Sequence, residues 1–497
     1  VTEFEIPSGS PSPDYVASGQ GRRLKMWRSS TSGPNSVMAS VETVRARSRA
    51  ATRNDPWGAA ASDRSVSNGI GTGVQAKMVN GSPELRAAVQ EVWEDFIAQC
   101  DADGVLEFYG QQAVAWREWE EAGEVFCRVR SRRAEDGLRV PMQLQLIEAE
   151  QCPTHHNAYA SNSNAIRQGI EFDRLGRRVA YWMYREHPGD DQKQINGTEL
   201  VRVPADQVLH LYTPLRAGQH RGMPHGTSAL VQMFNLDRFS DAVLDRQQIA
   251  NLFSVFFVSE KDVQSNGIGD QVAPDTGADG VPIGGMEPGT GIELPPGVKP
   301  EFASPPDAGS NYVEYLRSHL QAIAAARGIP YEVLTGDLRD VSDRALRLIL
   351  NEFRRNIEQR QWLYLIPQLL QKIRVAFFDA AVLSGALDLP DYAERRSYYT
   401  KTLWVPQGWP WSHPVQDVTA ERNAVRAGFK SRSAAILGSG EDPESVDQQI
   451  ADDNRRADEA GFVFDSDPRK TSANGITQQA APDDPAEPDA PPSRGQE

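Results

Sequence analysis

Lysine is scarce in this chain, nine residues against 43 arginines, and none of the nine follows a glycine. A Walker A loop needs that dipeptide, because its lysine must reach phosphates cradled by glycine-rich backbone. A P-loop nucleotidase is therefore excluded. Cysteine is scarcer still. Cys100, Cys127 and Cys152 lie 27 and 25 residues apart, which suits neither a zinc site nor a disulfide framework. A reducing cytoplasm is the expected place of folding. No apolar run nears the roughly 18 residues of a membrane span; the longest, 252–258, is interrupted by Ser254. The opening VTEFEIPSGSPSPDY is acidic and rich in Pro and Ser, unlike a signal peptide. G-x-S-x-G, H-E-x-x-H and C-x-x-C are all missing, so serine-hydrolase, zincin and thiol-redox chemistry have no foothold.

What the chain has is length and an uneven charge. Its 497 residues suffice for two to four domains, each with a core. The net charge is −16. Residues 441–497 hold 15 acids and 5 bases, whereas residues 21–64 hold 9 bases and 3 acids. A basic N-terminal arm and an acidic tail bracket a balanced middle. Both ends can simply be solvated, or the arm can meet nucleic acid or an acidic partner.

Residues 1–40 read as disordered, being rich in Ser, Gly and Pro. A helix begins at Val41 and places Arg45, Arg49 and Arg53 on one face at i, i+4 spacing. Asp55-Pro56 stops it, and a second helix covers 57–68. Residues 83–100 are amphipathic through Leu85, Val89, Val92, Trp93 and Phe96. Another helix is expected over 104–122, then strands at 124–130, 144–149, 179–185 and 207–212. The turn 173–176 suggests a hairpin. Residues 228–256 read as one long helix that Ser228 can cap. Gly and Pro crowd 259–310, leaving only short strand candidates such as 291–294. A helix over 311–328 ends at Ile329-Pro330, a loop covers 331–341, and a long helix over 342–378 should kink at Pro367. The fold class is α+β, mainly helical.

Few residues suggest chemistry. The glycines at 69–73 imitate a phosphate loop but follow a helix, whereas a dinucleotide site follows a strand; they read as a turn. His155-His156 has only Cys152 at ligand spacing and reads as an exposed pair. His210 reads as a satisfied strand histidine, and Arg216, His220 and Arg221 as a basic surface turn. Asp337, Leu338, Arg339 and Asp340 form a charged loop. Trp404, Trp409 and Trp411 read as packing anchors. Neither a metal nor a cofactor is called for.

Several segments, in order, resemble the lambda-type family of tailed-phage portal proteins. They are RARSRAATRNDPWGAAASDRSVSNGIGTGVQ, GIEFDRLGRRVAYWMYREHPGD, RVPADQVLHLYTPLRAGQHRGMPHGTSAL, GIPYEVLTGDLRDVSDRALRL and the block WVPQGWPWSHPVQDVTAERNAVRAGFKSRSAAILGSGEDPESVDQQIADDNRRADEAGF. His413-Pro414 stands where the family commonly has an aspartate before the proline. Val341-Ser342 replaces a serine pair.

The resemblance implies a ring of about twelve subunits at a capsid vertex, with double-stranded DNA in its channel and no sequence specificity. It implies as partners the terminase large subunit, head-completion or adaptor proteins, the major capsid protein and scaffold, with no membrane. It places the protein in the virion, after assembly in the host cytoplasm. It also implies regions: a disordered arm 1–40, wing 41–227, stem helix 228–258, clip 259–310, second stem helix 311–330, tunnel loop 331–341, a long kinked helix and wing 342–415, crown 416–463, and an acidic tail 464–497. Asp337, Leu338, Arg339 and Asp340 then face the channel, Arg45, Arg49 and Arg53 form a basic face, and the tryptophans anchor crown and wing. Another head–tail connector or ring protein, and a nucleic-acid-processing enzyme, are the competing readings.

Overall fold

Asp55 joins the first two helices of the computed structural model, which describes residues 32–191, 197, 199–252, 256–259, 298–301, 312–410, 413–464, 467 and 469. Helix α1 (Val41–Asn54) ends where Asp55 turns extended. The Asp55 carboxylate then accepts from the backbone N–H of Trp57 at 2.7 Å and of Gly58 at 3.1 Å. This caps α2 (Pro56–Gly69), with Pro56 at the first position, where no N–H is needed. After β1 (Gln75–Met78) come α3 (Pro83–Gln99) and α4 (Phe108–Ala122). Helix α4 starts later than the expected residue 104 because Asp101 holds the preceding segment as a loop. Its carboxylate takes the N–H groups of Val105 and Leu106 and the Gln111 amide. Gly123 closes α4 at φ +85, where a Cβ would overlap the Met223 backbone.

Two antiparallel sheets follow. Strands β2 (Glu124–Ser131) and β3 (Met142–Ile147) begin the first. Strands β4 (Ala158–Tyr159), β5 (Ala165–Arg167), β6 (Ile170–Phe172), β7 (Arg178–Tyr184) and β8 (Leu200–Pro204) form the second in sequence order. Strand β9 (Val208–Tyr212) returns to the free edge of β2, giving the order β3-β2-β9. The 173–176 turn does make the β6–β7 hairpin. Both sheets feed one core through Phe126, Ile147, Ile170, Tyr181, Met183 and Val208.

The expected single helix over 228–256 is shorter. Helix α5 runs Leu230–Leu252, about 34 Å at 1.5 Å per residue. Ser228 does not cap it but lies inside a 3₁₀ turn, Thr227–Ala229, entered through Gly226. Phe256 belongs to a strand: β10 (Phe256–Ser259) pairs antiparallel with β11 (Val298–Glu301). The strand candidate at 291–294 lies outside the described residues. Helix α6 (Tyr312–Arg327) packs on α5 through Phe239, whose ring lies 4.5 Å from Tyr315 and 6.0 Å from Tyr312.

The segment expected as a loop over 331–341 opens with a short helix, α7 (Tyr331–Thr335). Then α8 (Asp343–Arg360) begins at Ser342, whose hydroxyl accepts from the Ala345 N–H. It runs into a π-helical stretch, Gln361–Leu370, and on into α9 (Gln371–Leu383). Pro367 sits in that stretch. With no N–H to give, proline cannot complete an α-turn, and here the chain widens to the i−5 register, as in Gln371 N–H to Ile366 O.

The chain divides into two compact units: residues 1–69 with 91–392, and residues 70–90 with 393–497. After α10 (Tyr392–Tyr399), the second unit pairs β12 (Thr402–Val405) with β1, setting Trp404 opposite Ala76. Three helices follow: α11 (Pro414–Arg426), α12 (Arg432–Gly438) and α13 (Pro443–Ala460). Ser431 and Asp442 cap the last two. Gly428 and Gly461 reverse the chain at positive φ. No described helix is long and apolar enough to cross a membrane.

Candidate functional site

The charged loop at 337–340 hangs between two helix ends. Helix α6 stops at Gly328, α7 makes one turn to Gly336, and Ser342 starts α8. Asp337 braces the loop. Its carboxylate accepts from the Tyr331 hydroxyl at 3.0 Å and takes Arg339 in a two-point pair, both contacts 2.8 Å. The Arg339 hydrogen bonds hold the Asp337 carboxyl well below the ordinary range. Leu338 and the Arg339 side chain are largely exposed. Asp340, at φ +64, is also exposed and lies 3.6 Å from Arg317 of α6. Arg317 in turn lies over the Tyr331 ring. The loop therefore presents one internally neutralised pair, one apolar tip and one exposed carboxylate. It offers contact, with no nucleophile or base set against an acceptor.

The basic face expected from Arg45, Arg49 and Arg53 is not a surface. Arg45 is 1% exposed. It shares the inward face of α1 with Val41 and Ser48, at the i, i+4, i+7 spacing of a buried stripe. Its guanidinium meets Glu124 of β2 at 2.7 Å and donates to the Ala122 carbonyl at 2.9 Å. Arg49 is bound by Glu118 at 2.7 Å and Glu150 at 2.9 Å. Only Arg53 is exposed, and it makes no ion pair among the described residues. Residues 32–40, expected within a disordered arm, are also packed. Asn35 donates to the Gly218 carbonyl and accepts from the His220 N–H, and Met38 is buried.

Glu124 is the centre of this buried charge. Arg221, expected in a basic surface turn, is fully buried and pairs with the same carboxylate. The Gly222 N–H donates to it at 2.7 Å, and His210 Nε2 lies 3.0 Å away. Arg178, which can only donate, meets His210 Nδ1 at 2.9 Å, so the imidazole is neutral with its proton on Nε2. Burial pushes His210 down to about 4. Against the cost of burial, Arg221 and Arg45 hold Glu124 well below its usual value. A second buried carboxylate, Glu120, takes Arg360 at 2.7 Å. Arg360 also stacks over Trp116 and Trp119.

Periodicity misses these acids because they occupy the apolar face of α4 and the start of β2. The only signal is their density, four glutamates within EWEEAGE, with Trp116 and Trp119 alongside. Glu148, Glu150 and His187 come close enough to hold a cation. Arg49 already supplies the positive charge there, 3.5 Å from Glu148 and 2.9 Å from Glu150. His155 is exposed and reaches Glu42 at 3.3 Å.

Of the tryptophans, Trp404 is buried in β12 and Trp409 is half-buried. Trp411 lies outside the described residues. The turn at 70–73 is structural: its Thr72 N–H donates to the Gln407 side chain at 3.0 Å.

A family model described as phage portal protein, lambda family, matches residues 20–361. The chain is 29% identical over 338 residues to a probable portal protein of Halomonas phage phiHAP-1, covering 67% of this chain and 63% of that relative. It thus spans a little under two thirds of that relative's length. It is 22% identical over 393 residues to portal protein B of Escherichia phage lambda, covering 73% of this chain and 72% of the other. A chain from the neck of an empty GTA particle aligns with TM-score 0.47 and 15% identity, covering 82% of this chain and 94% of that one.

Proposed function

The chain belongs to the lambda family of phage portal proteins, and on that premise we propose that it is a portal subunit. Copies of it close into a ring at one capsid vertex, and double-stranded DNA passes through the ring during packaging and ejection. The observation that carries this reading is the family match over 20–361. It covers the two-sheet region, the α5 and α6 pair and the braced loop in one frame.

Within this reading α5 and α6 are the stem helices, and the antiparallel β10–β11 pair opens the clip at 259–310. Asp337, Leu338, Arg339 and Asp340 are the tunnel loop, and the helices α11 to α13 are the crown, with Trp404 and Trp409 fixing its base. Ring closure is heterologous, one face of a subunit meeting a different face of the next. Leu244, Leu348 and Leu363, each more than half exposed on long helices, support such a contact.

A portal must let DNA slide. Many free lysines or arginines in the bore would trap phosphate. The loop answers that demand, since Arg339 is paired with Asp337 and Asp340 adds negative charge. A net charge of −16 per subunit multiplies around a ring into a repulsive field. The terminase large subunit docks at the clip, and head-completion or adaptor proteins take its place afterwards. The major capsid protein and scaffold surround the wing. The role is structural and asks for no catalysis, metal or cofactor.

Negative-stain microscopy of the purified protein tests the reading. Rings with a central hole are expected; a compact monomer under assembly conditions defeats it.

A further inference from the structure

The core between the two sheets opens at one end into a cleft of about 300 Å³. Phe126, Arg128 and Arg130 succeed one another on one face of β2. On β3, Ile147 stands opposite Phe126 and Gln145 opposite Arg128. Met183 of β7 and Val203 of β8 share the core with Phe126 and Ile147. Arg185, two residues after Met183, joins Arg128 and Arg130 in lining the cleft. On both sheets the lining therefore changes from apolar to cationic within two residues.

Three arginines line this cleft, and among the described residues no carboxylate does. Glu199, which is not part of the lining, lies 3.6 Å from Arg185 with both side chains largely exposed, a weak pair in water. Arg130 donates to Gln145 Oε1 at 2.8 Å, which leaves the Gln145 amide nitrogen free among the described residues. Arg128 makes no side-chain hydrogen bond or ion pair among them, and its Nε is sealed from solvent. Burial, and after it the neighbouring Arg130, pull the Arg128 pKa below its ordinary value. A sealed donor without an acceptor is unfavourable, and here the fold gathers like charges around it. What the cleft lacks is an anion. A planar carboxylate is satisfied along one edge by one guanidinium fork. Guanidiniums from two sheets suit a tetrahedral oxyanion, which offers oxygens on several sides.

We propose that this cleft binds a phosphate group, with Arg128, Arg130 and Arg185 as its charged donors and the Gln145 amide as a neutral one. The group can arrive as inorganic phosphate or as a phosphodiester of a single nucleic-acid strand. The recognition chemistry is the same for both, and base sequence plays no part in it.

The test titrates the full chain with inorganic phosphate by calorimetry at constant ionic strength, and melts it in phosphate and in chloride. Saturable binding is expected, with a higher melting temperature in phosphate. Arg128→Gln should weaken phosphate binding about tenfold and remove the phosphate-dependent rise. In chloride it should melt at or above the parent temperature, because Arg128 has no described partner to lose. A lower melting temperature in both buffers would make Arg128 a structural residue and overturn the proposal. Arg185→Gln, on the other sheet, is expected to weaken phosphate to a similar degree. Arg133→Gln is the control, exposed beyond the end of β2 and paired with Glu135. Equal weakening by the control would mean counterion attraction to a basic surface, and it overturns the site, as does the absence of saturable binding. A short oligothymidylate then distinguishes the two sources. Displacement of phosphate by it assigns the site to a nucleic-acid strand, and binding of inorganic phosphate without displacement assigns it to the free ion.

Discussion

Arg45 and Glu124, 79 positions apart in sequence, meet at 2.7 Å with both side chains essentially sealed from solvent. A lone charge at this depth is costly, so removing one member leaves the other uncompensated. Glu124→Ala strands two guanidiniums and the Gly222 N–H together. A loss of about 3–5 kcal/mol is expected, read as a lowered urea midpoint. Arg45→Met keeps volume and leaves Arg221 on the carboxylate, and should cost less. Equal losses for the two would mean that Glu124 is not the hub.

Acid should destabilise the first unit early. His210 and His225 are both held down to about 4 by burial, against an ordinary value of 6.5. Their unfolded forms take up a proton that the folded forms refuse, so stability falls as pH drops through 6.5 and the loss levels off near 4. For His210 alone this is on the order of 3 kcal/mol. Glu120, depressed to about 2, acts below 4.5 with the same sign: its contribution is present above that pH and is lost as pH falls. Denaturation midpoints from pH 7.5 to 5 should decline. His210→Asn should flatten that decline, and an unchanged slope would remove His210 from the account.

The loop separates two aspartates that sequence alone treats alike. Asp337 is a structural brace and Asp340 an exposed charge. Asp340→Lys should therefore lower the melting temperature only slightly, through the exposed Arg317 contact and the positive φ, while lowering the yield of packaged DNA. Asp337→Lys should loosen the loop as well. Normal packaging by the Asp340→Lys variant would argue against a channel-facing loop.

Arg374 is fully buried against Trp93, Phe377 and Phe378. Its guanidinium nitrogens find no hydrogen-bond partner among the described residues, and burial pulls its pKa down to about 9. A methionine of similar reach would keep the aromatic contacts without the desolvation cost. Arg374→Met should match or exceed the parent melting temperature at neutral pH. A clear drop would mean that the attraction of the cation to the three rings outweighs its desolvation cost.

Much of the architecture is legible in the sequence because it is local. Asp55-Pro56 announces the α1–α2 break, and the 173–176 turn announces the β6–β7 hairpin. Val89, Val92, Trp93 and Phe96 announce the buried stripe of α3. Where local signals compete, they mislead. Ser228 looks like a cap, yet the chain enters α5 through a 3₁₀ turn after Gly226. Pro367 looks like a kink, and a π-helical stretch absorbs it. Asp337 to Asp340 do fall in a turn, but the bracing hydroxyl of Tyr331 belongs to α7, a helix in a segment that reads as loop.

Family membership, the main helices and several of the strands, and the lack of any nucleotide or hydrolase motif all rest on residue types at short spacings along one chain, so the sequence suffices for them. Which charges lie inside is a matter of packing. Arg45, Arg49 and Arg53 are equivalent by spacing, but α1 packs one edge of its face against Glu124 and another against Glu118 and Glu150, leaving Arg53 in water. Whether a charge can be buried depends on a partner close enough to offset desolvation, and that partner lies far away in sequence.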